Sequence, residues 1–263
     1  MDLGLKGKRA LVMGASKGLG RSIADSLAAE GATLVISGRK QAALDAVAAE
    51  LVAAGAAAAH GVPADVADGA SMDALAEAAE RLMGGVDILV LNHGGPPPCV
   101  ASEITDAALH VWFEQIVASP IRLANRLIPA MRAQGWGRVL VVGSTGMQHP
   151  IPNLALSNVL RAAVWGWLKT YSGEAARDGV TMNVVAPGSI MTDRIVQNAE
   201  SRAAKAGTAV DDELKRMTVE IPAGRIGTPA EFGPMAAFLA SEQAAYITGS
   251  MIRVDGGRVR GMV

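Results

Sequence analysis

The 263 residues are half hydrophobic and 19% charged, a balance that supplies a substantial core and excludes a disordered chain. A net charge of −1 leaves no electrostatic footprint for nucleic acid or a membrane surface. The lone cysteine, Cys99, excludes an intramolecular disulfide framework and reads as an incidental thiol. Residues 1–9 carry charges where a signal peptide needs an apolar core. No apolar run approaches the length of a membrane span, so a soluble, cytoplasmic protein is expected.

In chain order, residues 9–13 are a short continuous apolar run, as a strand buried on both faces requires. A glycine-rich loop, 14–20, follows, then a helix over 21–30 stopped by Gly31. The second strand is 33–36, and the second helix is 41–54, ended by Gly55. Residues 57–62 give a weak third strand, and 71–83 a helix with Ser71 as its N-cap. The fourth strand is 86–91. A long helical stretch, 105–131, is expected to bend at Pro120. A fifth strand, 139–142, runs into Gly143-Ser144-Thr145-Gly146, a Pro-interrupted loop, and a long apolar helix that carries Ser157 and Arg161. The sixth strand is 181–185, and the more polar 192–220 reads as a mobile excursion over the sheet edge, a substrate lid. A helix over 229–240 and a strand over 251–254 close the series. No linker interrupts it. The expectation is one α/β domain, 1–263, with about seven mostly parallel strands, doubly wound, and helices on both faces.

The loop Gly14-Ala15-Ser16-Lys17-Gly18-Leu19-Gly20 lies between a strand and a helix. Glycines there let the backbone approach a pyrophosphate, and the helix N-terminus favours its charge. The second strand ends Ser37-Gly38-Arg39-Lys40, where an NAD site places an acid against the ribose 2′-hydroxyl. Arg39 and Lys17 instead suit a 2′-phosphate, so NADP(H) is preferred over NAD(H). The histidines form no helical pair and have no cysteine companions, so no metal site is expected.

With these residues the chain resembles the short-chain dehydrogenase/reductase family, in particular its 3-oxoacyl-carrier-protein reductase-like branch, over essentially its whole length. The resemblance implies a Rossmann-like fold. Gly14, Gly18 and Gly20 match the family's phosphate loop, with Met13 where a Thr is usual. Asp65 and Val66 resemble its adenine-holding segment, and Asn92-His93-Gly94-Gly95 stands where Asn-Asn-Ala-Gly is usual. Pro187, Gly188, Ile190 and Thr192 resemble the stretch at the nicotinamide end. Residues 221–229 and 246–257 resemble its C-terminal signature. A homo-oligomer, dimer or tetramer, is implied, with Trp165 and Trp167 on the helix that commonly packs against a second subunit.

The catalytic pattern departs from that family. Ser144 matches its serine, but Ser157 and Arg161 occupy the places of its Tyr and Lys. Ile116, with Gln115 beside it, stands at the place of its Asn. Tyr171 lies too far along the helix to substitute. A serine hydroxyl is a far weaker acid than a phenol, and a guanidinium does not readily join a proton relay. The expected arrangement is therefore modified: Ser144 orients a substrate oxygen, Arg161 holds ribose and positive potential, and Ser157, water or His149 completes proton transfer. His93 reads as a loop-packing residue. The leading reading is an NADP(H)-binding oxidoreductase acting on a small carbonyl or alcohol. The alternative is a catalytically inactive dinucleotide-binding protein with a sensing or assembly role.

Overall fold

In the computed structural model, which describes residues 2–262, the apolar runs form a seven-stranded sheet of order β3-β2-β1-β4-β5-β6-β7. The strands are β1 (Arg9–Val12), β2 (Thr33–Gly38), β3 (Ala58–Pro63), β4 (Ile88–Leu91), β5 (Gly137–Val142), β6 (Val180–Pro187) and β7 (Met251–Val254). Every neighbouring pair is parallel. Among the described residues nine α-helices join them: α1 (Gly18–Ala29), α2 (Gln41–Ala53), α3 (Gly69–Met83), α4 (Asp106–Phe113), α5 (Ser119–Ala133), α6 (Ala155–Ala175), α7 (Asp193–Ala206), α8 (Val210–Val219) and α9 (Pro229–Leu239).

The period of two along a strand sends alternate side chains to opposite faces. Ala10 and Val12 of β1 join a core with Ile23 and Leu27 of α1, Leu44 of α2 and Phe232 of α9. Leu11 and Met13 join the other core, with Met72 of α3, Leu123 and Leu127 of α5, and Leu160 and Val164 of α6. The sheet is thus covered on both faces, which is why its strands read as unbroken apolar runs. Each fully buried Leu or Ile contributes about 1.5–3 kcal/mol of transfer free energy.

Strand order reverses at β1, whose neighbours β2 and β4 carry the chain away in opposite directions. A crevice opens at such a point, outside the carboxyl ends of the strands. It is therefore the residues just after β1, β4, β5 and β6 that are positioned to meet a ligand.

The helix α1 begins at Gly18 rather than Arg21, and two further helix boundaries differ from the sequence expectation. Asp68, not Ser71, caps α3, its Oδ1 accepting the Ala70 N–H at 2.9 Å. Ser71 Oγ instead accepts the Asp65 N–H at 2.9 Å. Both residue types make good caps, and the tertiary path selected the earlier one. The expected 105–131 helix is interrupted before its proline: a wide five-residue turn, Glu114–Ala118, separates α4 from α5. Pro120, in the first turn of α5, has no N–H for the carbonyl four residues back, so the ladder is already open where the extra residue enters. Among the described residues no helix is long and apolar enough to cross a membrane.

Candidate active site

A cavity of about 660 Å³ runs along the carboxyl ends of the strands, from the Gly14–Gly20 loop to Ser144 and Arg161. Its wall includes Gly14, Ser16, Lys17, Gly18, Leu19, Arg39, Asp65, Val66, Asn92 and Gly94. Ser144, Ser157, Arg161, Pro187, Gly188, Ile190 and Thr192 line its other end. The topology thus gathers at one crevice nearly every residue singled out in the sequence.

The loop after β1 is built for close approach. Gly14 has φ +58°, and a Cβ there would meet Asn92 Nδ2 at 2.8 Å. Asn92 Nδ2 donates to the carbonyls of Met13 and Gly14, both at 3.1 Å, and pins the loop to the end of β4. Gly20 is not on the wall. It is buried behind it, where a Cβ would lie 2.4 Å from the Gly14 carbonyl oxygen, so it allows α1 to seat against the turn. No side chain caps α1, and its first N–H groups remain available to an anion. Lys17, at the mouth, pairs with Asp193 at 2.6 Å. Arg39 is exposed at the end of β2.

Ser144 ends the turn after β5. Its Oγ accepts the Gly146 N–H at 3.0 Å, which orients the hydroxyl and leaves its hydrogen free to donate. Arg161, on α6, donates from Nη1 to the Val142 carbonyl at 2.9 Å. Desolvation, with the nearby Arg194 charge, draws its pKa down from the ordinary arginine range to about 10. The guanidinium remains protonated at neutral pH.

The structure places the two loop histidines differently relative to the cavity. His149 is exposed and lies off the cavity wall, because the turn after Thr145 carries it outward. His93 is half-buried on the wall. Its Nδ1 lies 2.6 Å from the Gly94 carbonyl oxygen. A carbonyl only accepts, so we assign the proton to Nδ1 and leave Nε2 as a bare acceptor. Burial, and secondarily Arg161, lower its pKa to about 3 against the opposing Gly94 bond.

Ile116 is buried in the core, whereas Gln115 faces the cavity from the wide turn. Arg194, Asn198 and Arg202 of α7 and Arg258 beyond β7 also line it. None of these four was marked by sequence reasoning. Arg194 and Arg258 follow the Pro187–Thr192 stretch and the C-terminal glycines, but a surface arginine and a wall arginine look alike in sequence. Among the described residues no cluster of His, Cys, Asp and Glu has the makings of a metal site.

Residues 14–258 match a family model described as enoyl-(acyl carrier protein) reductase. The chain is 34% identical over 255 residues to the 3-oxoacyl-[acyl-carrier-protein] reductase of Escherichia coli, covering 97% of this chain and 98% of that protein. It is 33% identical over 260 residues to the D-beta-hydroxybutyrate dehydrogenase of Cupriavidus necator, covering 97% and 99%. The L-sorbose reductase of Gluconobacter frateurii, solved with NADPH and L-sorbose, superposes with a TM-score of 0.94 at 32% identity, covering all of both chains. Fold, phosphate loop and end-to-end similarity agree: this chain belongs to the short-chain dehydrogenase/reductase family, with 3-oxoacyl-carrier-protein reductase-like character.

Proposed function

We propose that the protein is an NADP(H)-dependent oxidoreductase interconverting a small carbonyl compound and an alcohol through a modified proton-donor arrangement. The observation that carries this reading is the continuity of one cavity from the uncapped α1 N-terminus to the free hydroxyl hydrogen of Ser144. NADPH, when bound, supplies the reducing equivalents. The residues of this chain do the rest. The α1 N–H groups and the glycine loop receive the diphosphate, and Asp65 and Val66 flank the adenine. Pro187, Gly188, Ile190 and Thr192 line the nicotinamide end. Ser144 donates to the substrate oxygen, and Arg161 places positive charge where an alkoxide develops. Ser157, with water in the space a phenol ring would fill, passes the proton. His149 has no part, being outside the cavity. Residues 192–220, folded as α7 and α8, form the substrate lid of a single domain spanning 1–263.

Reduction of a carbonyl panel, followed by loss of NADPH absorbance, tests this. Turnover is expected, with kcat falling roughly 100- to 1,000-fold in Ser144→Ala, as for removal of one donor to a developing oxyanion. Measurable NADPH binding with no turnover of any carbonyl would instead support the inactive dinucleotide-binding reading, which the Ser157 and Arg161 replacements favour.

Preference for NADP(H) over NAD(H) rests on Arg39, exposed on the wall beside Gly38 with no carboxylate at the end of β2. Arg39→Ala is expected to weaken NADPH binding roughly 10- to 100-fold, the worth of a charged hydrogen bond, and to leave NADH binding unchanged. Fluorescence titration reads both. Equal losses for the two cofactors would sink the assignment.

Self-association is proposed through α6, which exposes Val159 and contacts α4, where Val111 and Phe113 are exposed. Trp165 and Trp167 are half-buried and packed on the core, so they support that face from beneath. Sedimentation velocity would refute the idea by finding only monomer.

A further inference from the structure

The cavity holds more positive charge than the dinucleotide reading uses. Lys17 is spent on Asp193 at 2.6 Å, and Arg258 on Glu220 at 2.8 Å. Arg161 and Arg194 meet no carboxylate among the described residues. Arg161 donates to the Val142 carbonyl at 2.9 Å. Arg194 donates to the carbonyls of Pro96 at 2.6 Å and Gly95 at 3.4 Å. The two guanidiniums converge: their Nη2 atoms lie 3.7 and 3.8 Å from the point where a side chain on Gly95 would begin. Among the described residues, the carboxylates on the wall are Asp65 and Asp193. Asp193 is paired, and Asp65 turns back to accept the Ala67 N–H at 3.0 Å.

Two like charges held together beside a cavity repel unless an anion enters between them. That repulsion contributes to the lowered pKa of Arg161. Their place in the fold identifies which anion. Val142 ends β5, next to Ser144, and Gly95 and Pro96 follow β4, whereas the diphosphate site is the loop after β1. The charge therefore lies beside the reacting carbonyl, not at the phosphate end.

We propose that Arg161 and Arg194 form a carboxylate-binding fork, so that the substrate is a small oxo acid whose carboxylate they receive while Ser144 holds its carbonyl oxygen. This deepens the oxidoreductase reading and rests on it. In the reaction the carbonyl carbon gains a hydride and its oxygen a proton, while NADPH is oxidised to NADP⁺. The carboxylate is unchanged. Paired N–H donors suit a planar carboxylate better than a single ammonium. Because the cavity must also hold the dinucleotide, the acid is small.

The test pairs pyruvate, acetoacetate and levulinate with their methyl esters, as substrates and as ligands of the NADPH complex in calorimetry. Wild type is expected to use at least one acid with kcat/KM roughly 10- to 100-fold above its ester. Arg194→Ala is expected to erase that advantage mainly through KM, leaving ester turnover and NADPH affinity within about twofold, and Arg194→Lys to restore part of it. Thermal melts confirm that the variants fold. Esters reduced as well as acids, or an Arg194→Ala loss that appears equally in NADPH binding, overturn the fork while the oxidoreductase reading survives. Arg194-dependent binding of an acid without any turnover has the reverse meaning: the fork stands and the oxidoreductase reading fails. The absence of both turnover and Arg194-dependent binding for every acid overturns the fork as well.

Discussion

Arg161→Met is expected to lower kcat/KM for carbonyl reduction roughly 100- to 10,000-fold, with the protein still folded. The lower bound is the cost of one donor aimed at developing negative charge. The upper bound adds the loss of substrate and ribose anchoring, since positioning lost at the reacting centre multiplies with lost charge. The fold is expected to survive for a separate reason. Removing the guanidinium leaves the Val142 carbonyl one donor short, which costs about 1 kcal/mol, but it also removes the cation that Arg194 repels. These terms are small and opposed, so the melting temperature should move by only a few degrees. Arg161→Lys keeps the charge but loses the fork, and should fall between wild type and Met. The same guanidinium sets an alkaline limit. With its pKa near 10, activity that needs the cation is lost as pH rises through about 10, well before an ordinary arginine titrates. A steady-state pH profile checks the limb, and undiminished kcat/KM in Arg161→Met would remove Arg161 from the chemistry.

The architecture was legible because the five inner β-strands are buried on both faces, which leaves apolar runs in the sequence, whereas the edge strands β3 and β7 are only part-buried, and because Gly14, Gly18 and Gly20 sit where a strand meets a helix. Those signals are local, and the loop they mark lines one end of the cavity. The reacting end was less legible, since it is assembled from loops whose paths no periodicity records. His149, five residues after Ser144, looked well placed, yet the turn capped by Ser144 carries it to the surface. His93 reads in sequence as loop packing, yet the preceding Asn92 is pinned to the Met13 and Gly14 carbonyls and the His93 ring lines the wall. Arg194 shows the same limit from the other side. In sequence it is one charge in a polar stretch, and only the fold brings it to Gly95 beside Arg161.

His93 supplies the second large expected effect, on stability. Desolvation first, and the Arg161 charge second, lower its pKa from 6.5 to about 3 in the folded protein. In the unfolded chain the imidazole binds a proton once pH falls below about 6.5. Between those values the unfolded state carries the extra proton, so stability is full above about 6.5 and declines as pH falls towards 3. Each unit of that window is worth about 1.4 kcal/mol at most. Water entering the cavity screens part of it, leaving a loss of roughly 1–2 kcal/mol between pH 7 and pH 4.5. His93→Asn keeps a polar side chain without the titration. Urea unfolding of both proteins at the two pH values isolates the effect from carboxylates common to both. Wild type is expected to lose that much more than the variant on acidification, and equal losses would mean that His93 takes its proton freely in the folded state. An anion between Arg161 and Arg194 removes one of the two causes. Saturating oxo acid is therefore expected to raise the His93 pKa and shrink the difference between the two proteins, a shift that NMR titration of the ring would follow directly.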